Sequence, residues 1–357
     1  MSLLSRREFL GASLASTAAL HVGRAPAAAP AAEVAFFLVG DTHYLADKLN
    51  PEKLDARSAA TNARLIEQLN RLPGTKIPEA AGGGTVAAPR GVIHAGDLID
   101  SGDKNGGITP RMHQTEWAGF NADFGLTGKD GRLKVPVYEV HGNHDSPQGD
   151  GLVVKQIVER NKSRPGLVNV ARNGLHYAWD WGSVHCINLG ISVGAVKEVT
   201  RKRRYQPLDS LEFLTADLAE KVGKSGRPVI ITHHLDIARN ATPPDPEAAA
   251  STKEWDPCDV RGYFDALKGY NVAAILFGHT HARDVYHWDG SPRKGKEGIP
   301  VFNVDNSGHF GSKQQALFYF HLRDGELTVR EFATDDGWAT GDWTPQTWKT
   351  KVALGKG

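Results

Sequence analysis

Short, mainly apolar runs recur along this chain at 34–39, 91–94, 135–140, 176–181, 183–189, 228–231, 272–277 and 300–304. Several are apolar without interruption, the pattern of strands covered on both faces. Between them lie stretches with helical spacing. Residues 51–72 carry Leu65, Ile66 and Leu69 on one side, with Pro51 at the opening. Residues 114–126, 152–160, 209–221 and 259–270 read the same way, and Asp209 and Asp259 suit N-cap positions. Strands alternating with helices predict an α/β fold. The pattern changes near the end, where runs at 316–322 and 326–333 flank Arg323-Asp324-Gly325. That is a β-hairpin signal, and an antiparallel hairpin in an α/β chain implies a mixed sheet or a second sheet. No internal repeat is visible.

Other segments lack either period. Residues 80–89 are rich in Gly and Ala, and residues 236–257 hold Pro243, Pro244, Pro246, Pro257 and an alanine run. A loop of that length is often functional; it reads equally as a lid or specificity loop and as a surface insertion. Residues 33–335 are expected to form one domain and 336–357 a C-terminal tail. The beginning is different again. Ser5-Arg6-Arg7-Glu8-Phe9-Leu10 is a twin-arginine start, followed by a weakly apolar run over 10–20 and the Ala/Pro tract Ala25-Pro26-Ala27 to Ala29-Pro30-Ala31. Charged start, apolar run and small-residue cleavage site stand in the order of an export signal over residues 1–32. The run is too short to span a bilayer, so a soluble periplasmic or secreted protein is expected.

The chain has 357 residues, 40% hydrophobic and 23% charged, which is ordinary for a globular protein. Its formal net charge is +1, and loss of residues 1–32 removes Arg6, Arg7, Arg24 and Glu8, leaving −1. A near-neutral chain lacks the basic footprint of a general nucleic-acid binder. The two cysteines, Cys186 and Cys258, give no spacing pattern: they could pair after export, or Cys186 could be a buried thiol within its strand-like run.

Five of the strand-like runs end in possible metal donors: Gly40-Asp41-Thr42-His43, Gly96-Asp97, Gly142-Asn143-His144-Asp145, Thr232-His233-His234 and Gly278-His279-Thr280-His281. In four of them a glycine precedes the first donor, allowing unusual φ and close backbone approach where a strand stops. Ligands on loops at strand ends converge outside the carboxyl edge of a sheet. Asp41/His43 and His279/His281 are two apart, and extended backbone would turn each pair to one side. Carboxylate, imidazole and amide donors without thiolate suit Mn²⁺, iron or Zn²⁺ and argue against a structural zinc site.

Taken in order, D-x-H, G-D, G-N-H-D, H and G-H-x-H over residues 33–310 resemble the calcineurin-like metallophosphoesterase superfamily. The resemblance implies a four-layer α-β-β-α sandwich of two mixed sheets, ending in the C-terminal hairpin. It implies two divalent cations, one held by Asp41, His43, Asp97 and His281 and the other by Asp97, Asn143, His233 and His279, with Asp97 bridging. Water between two such cations loses its proton near neutral pH and attacks a phosphoester, while the cations neutralise phosphoryl charge. His144 would contact the phosphoryl oxygen or protonate the leaving oxygen, with Asp145 orienting its ring. Purple acid phosphatases, as a family, have D-x-G and a tyrosine where this chain has His43 and Asp100, so an iron–tyrosinate centre is not expected. The pattern is closer to the phosphodiesterase-like and nucleotidase-like branches. The implied substrate is a small phosphoester, mono- or diester; a non-hydrolytic phosphate- or metal-binding protein and a nuclease on the same scaffold are the rivals. The sequence does not indicate an oligomeric state.

Remaining residues keep two readings each. His94 and His141 suit packing or hydrogen bonding behind the site, and His234 either supports the site or exchanges with His233 as ligand. His309, after the 300–304 run, reads as an exposed loop residue or a substrate contact. Arg201-Lys202-Arg203-Arg204 is a solvated loop or an attractor of phosphate. Trp255 is surface packing or a platform for a base or sugar.

Overall fold

Residues Val34–Val39 are apolar and buried at every position, so this strand needs a covering layer on each face. The computed structural model supplies both and describes residues 33–195, 199, 202–238, 254–291, 294–312 and 314–355. The twin-arginine segment and residues 239–253 of the long expected loop lie outside the described residues.

Along the chain the elements are β1 (Val34–Val39), α1 (Ala56–Arg71), β2 (Val92–His94), α2 (Thr109–Phe124), β3 (Val137–Glu139), α3 (Leu152–Asn161), β4 (Leu167–Val170), β5 (Tyr177–Trp181) and β6 (Val184–Asn188). They continue with α4 (Ser210–Asp217), β7 (Val229–Thr232), α5 (Pro257–Leu267), β8 (Val272–Phe277), β9 (Asp284–Trp288), β10 (Ile299–Asn303), β11 (Gln315–Arg323), β12 (Glu326–Thr334) and β13 (Asp342–Lys351). One sheet has the order β13-β12-β11-β1-β2-β3 and the other β4-β5-β6-β7-β8-β10-β9. Both are mixed: β1, β2 and β3 are parallel, as are β6, β7, β8 and β10, with antiparallel strands added outside them. The sheets pack face to face through large rings, with Phe36 5.3 Å from Trp181 and Phe302 5.1 Å from Phe320 between centroids. Leu65, Ile66 and Leu69 of α1 and Phe120 and Phe124 of α2 cover the first sheet's other face. Leu214 of α4 and Val260 and Tyr263 of α5 cover the second against Ile187, Ile231 and Ile275. The four-layer α-β-β-α sandwich is therefore the observed architecture.

Differences from expectation lie at element ends and sheet edges. Helix α1 starts at Ala56, because Asp55 accepts from the Arg57 and Ser58 amides at 2.9 and 3.1 Å; such a cap outweighs proline at position 51. Helix α5 is preceded by Asp256, while Asp259 sits in its first turn and pairs with Arg203. The segment expected as a tail forms β13, antiparallel to β12 from Glu326↔Lys351 to Ala333↔Asp342. Its proline, Pro345, falls where the register shifts between Arg330 and Phe332, and an edge bulge is where a strand tolerates proline. The hairpin turn is as read: Asp324 and Gly325 have φ of 51° and 74°, as a type I′ turn requires. Cys186 in β6 is a buried free thiol.

One buried ion cluster fixes β3 against α3. Glu139 Oε1 accepts from Arg160 Nε at 2.8 Å and Arg164 Nη2 at 2.5 Å, and its side chain is fully buried. Glu139 lies just before the 142–145 loop, so the cluster also fixes where that loop begins. Removing one partner of a buried pair leaves uncompensated charge, at a cost of about 3–5 kcal/mol. Glu139→Ala is expected to destabilise the protein by about that amount, read as a lower urea midpoint; a midpoint unchanged from wild type would refute this role.

Candidate metal centre

The parallel strands of both sheets end at one edge, and six of the following loops meet there. The loops after β1 and β2 stay paired beyond the strands through Asp41 N to Gly96 O at 2.9 Å and His43 N to Asp97 O at 3.1 Å. Ser307, after β10, donates its amide to Gly40 O at 2.8 Å, and Gly278, after β8, donates to His234 O at 3.3 Å. This lashing joins loops from the two sheets into one rigid floor.

The donors do not reach the site in extended geometry, as their spacing suggested. Asp41, His43, Asp97, His279 and His281 all have positive φ, between 42° and 74°, and they are five of the nine such non-glycine residues among the described residues. A left-handed side-chain residue costs roughly 1–3 kcal/mol and persists only where its surroundings enforce it. Here the enforcement is visible. His279 N donates to both Asp41 carboxylate oxygens at 3.0 Å, and His144 N donates to Asp97 Oδ1 at 2.8 Å. Glycine is required beside them: a Cβ on Gly142 would overlap the Asp97 carboxylate, and one on Gly278 the Asp41 carboxylate.

With Oδ1 of Asp97 engaged by the loop, Oδ2 faces two imidazoles. It lies 3.7 Å from His43 Nε2 and 3.3 Å from His234 Nε2. On one side His43 Nε2 is 3.1 Å from His281 Nε2, and His281 Nε2 is 3.4 Å from Asp41 Oδ1. On the other, His234 Nε2 is 3.0 Å from Asn143 Oδ1, and Asp97, His234 and His279 place donor atoms around one centre. Ligand bonds of about 2.0–2.2 Å give donor–donor edges of roughly 3–3.5 Å; the His43–His281, His281–Asp41, His234–Asp97 and His234–Asn143 contacts have that spacing, while His43 stands wider, 3.7 Å from Asp97 and 4.0 Å from Asp41. Outer contacts set the rings. His43 Nδ1 is 3.3 Å from Asp100 Oδ1, and His234 Nδ1 is 2.8 Å from Ala95 O, leaving each Nε2 toward the centre.

The electrostatics point the same way. Burial alone would push the Asp97 carboxyl up, but His234, His43 and His144 outweigh it and hold it well below the usual range. Burial also raises Asp41, and His281 and His234 bring it below its ordinary value. Burial lowers His234, but Asp97, Asp41 and the Ala95 carbonyl push it up to about 9. This cluster demands positive charge at its centre. Divalent cations can supply it in place of protons, so metal binding there would release protons. Nitrogen and oxygen donors without a thiolate fit Mn²⁺, iron or Zn²⁺.

Two sequence assignments need correction. His233 does not face the centre: its ring is fully buried against Phe277, Trp255 and Tyr263, with centroids 5.5, 5.4 and 5.6 Å away. Burial lowers it to about 3, so it is a neutral packing residue, and neighbouring His234 takes the place among the donors. Asp145 does not orient His144. Its carboxylate accepts from the amides of Leu98 at 3.0 Å, Ile99 at 2.9 Å and Gly142 at 2.8 Å, tying the loops after β2 and β3 together. The His144 ring instead places Nδ1 3.0 Å from the Asp100 carbonyl and stands edge-on to His43 at 4.8 Å.

Asp41, His43, Asn143, His279 and His281 reach the centre with Asp97 and His234. His309 joins them as a half-buried ring 4.8 Å from His43 and 4.9 Å from His281, and burial, then those two imidazoles, lower it to about 4. His94 lies behind the floor, 2.9 Å from Thr42 Oγ1. Trp255 is 3% exposed and packs on His233 and Tyr263 rather than offering a stacking face. Arg203 is buried between Asp256 and Asp259 at 3.1 and 2.8 Å, so that part of the basic run is a clamp and not a solvated loop. Glu254, which contacts His279, belongs to no sequence motif; no spacing signal marks it.

A family model for calcineurin-like phosphoesterases matches residues 34–283. None of the curated proteins matches this chain significantly in sequence. Among solved structures, a dimetal phosphatase from Danio rerio superposes with a TM-score of 0.53 at 14% identity, covering 90% of this chain and 99% of that one. Purple acid phosphatase PPD1 from yellow lupin (Lupinus luteus) also gives 0.53 at 14% identity, covering 89% of this chain and 54% of that one. Identities this low speak for a shared fold. The family match spans most of the chain and includes the loops that carry Asp41, Asp97, Asn143, His234 and His279, and this chain belongs to the calcineurin-like phosphoesterase family.

Proposed function

We propose that this protein hydrolyses phosphoester bonds at a centre of two divalent cations. One would be held by Asp41, His43, Asp97 and His281, the other by Asp97, Asn143, His234 and His279. The observation that carries the reading is Asp97 Oδ2, which stands within 3.7 Å of His43 Nε2 and 3.3 Å of His234 Nε2 at once. Two bound cations would supply an activated water near neutral pH and neutralise charge on the phosphoryl oxygens. The protein's own part is to fix the donors, through the Asp97–His144 and Asp41–His279 backbone contacts, and to deliver a proton. His144 suits that second task. Its ring is one-third exposed and Nδ1 is held by the Asp100 carbonyl, which leaves Nε2 free to meet a leaving oxygen.

A panel of p-nitrophenyl phosphate mono- and diesters tests the reaction class. Hydrolysis is expected with Mn²⁺, lost on chelation and restored by adding the metal back. No turnover of any ester with Mn²⁺, Zn²⁺, Fe²⁺ or Mg²⁺, despite bound metal, would favour the non-hydrolytic rival.

The histidine pair is separable by mutation. His234→Ala is expected to lower bound metal from about two ions per chain to about one, whereas His233→Phe keeps both ions because its ring only packs. Metal analysis showing the reverse would restore His233 as the ligand. His144→Asn should keep both metals and lower kcat by roughly 10²–10⁴-fold; loss of metal in that variant would make His144 a ligand instead.

A further inference from the structure

His279 is held from two directions. Its amide donates to Asp41, and its ring Nε2 lies 3.0 Å from Glu254 Oε1. This contact is screened from water, with side chains 9% and 5% exposed. Asp97, His234 and His279 gather donor atoms around one centre, and Glu254 stands outside that group. Its carboxylate meets the ring at Nε2 without itself joining the three donors. An imidazole whose Nε2–H donates a hydrogen bond to a carboxylate presents Nδ1 as a fixed, more basic donor.

Glu254 is itself well anchored. The next residue, Trp255, is buried in the aromatic cluster with His233 and Tyr263. Asp256 accepts from the buried Arg203, which also pairs with Asp259 in α5. Arg204 Nη1 stands 4.0 Å from the same Glu254 oxygen that meets His279. The misassigned His233 thus acquires a purpose: its ring is the floor on which the segment carrying Glu254 rests.

We propose that Glu254 is a positioning residue of the metal centre. It accepts a hydrogen bond from His279 Nε2–H, turns Nδ1 toward the pocket shared with Asp97 and His234, and raises that pocket's affinity for its cation. The inference rests on the dinuclear reading above. It also makes occupancy of that pocket depend on how firmly the Arg203–Trp255 segment is seated.

Metal-loaded wild type, Glu254→Gln, Glu254→Ala and Glu254→Asp are dialysed against graded chelator, and retained Mn²⁺ is measured by elemental analysis. Wild type is expected to release two ions. Glu254→Ala should release one of them at roughly 10–100-fold lower chelator while the other is unchanged. Glu254→Gln, which keeps the shape and an acceptor oxygen without charge, should fall between, and Glu254→Asp should recover part of the loss. In cobalt-substituted protein the visible absorption of one site should change and that of the other should not. Two ions held by Glu254→Gln and Glu254→Ala as tightly as by wild type would overturn the proposal, as would equal loosening of both, which marks a general structural role. A wild type that holds a single ion instead overturns the dinuclear reading itself, and this inference with it.

Discussion

The Asp97 carboxylate is almost fully buried, yet three imidazoles hold it ionised. Much of the site's geometry follows from dividing its two oxygens between two tasks. Oδ1 accepts the His144 amide and so pins the 142–145 loop; Oδ2 is left for the donors of both pockets. The carboxylate can do this only because Gly142 lacks a side chain and because Asp97 itself takes a left-handed backbone. A buried charge with imperfect partners would be costly, so the loops around it are tied to one another by backbone hydrogen bonds and by Asp145.

Strain is concentrated in the same place. The left-handed residues at Asp41, His43, Asp97, His279 and His281 turn side chains from two different sheets toward one point. A relaxed loop could not hold them there. The sandwich provides the stiffness, because the strands that carry these loops are buried on both faces and cannot shift register without exposing apolar side chains. Glu139 with Arg160 and Arg164, and Arg203 with Asp256 and Asp259, do the same work from outside. Both clusters sit next to loops that feed the site.

The site also shows a graded arrangement of contacts. Donors face the centre; Asp100, the Ala95 carbonyl and Glu254 fix the orientation of His43, His234 and His279; and aromatic packing around His233 supports the last of these. His144 and His309 stand beside the donors with part of their rings open. On the proposed function, the residues that would hold cations and those that would act on a substrate are different members of the same loops.

The sequence by itself disclosed most of the strands and placed candidate donors at their ends. Asp41, His43, Asp97, Asn143, His279 and His281 stand at strand ends, and continuous apolar runs disclosed the buried strands because burial on both faces leaves no polar positions. The hairpin was equally plain, since Asp-Gly meets a local backbone requirement. Edge strand β13 was not legible, because an edge exposes one face and admits proline. Tertiary structure alone chose between His233 and His234: adjacent residues at a strand end point in opposite directions, and the aromatic cluster decides which ring is buried. It also gave Asp145 to backbone amides instead of His144, and brought Glu254 to His279 from a segment with no motif. These are contacts between side chains remote in sequence, and no local pattern encodes a distance that folding creates.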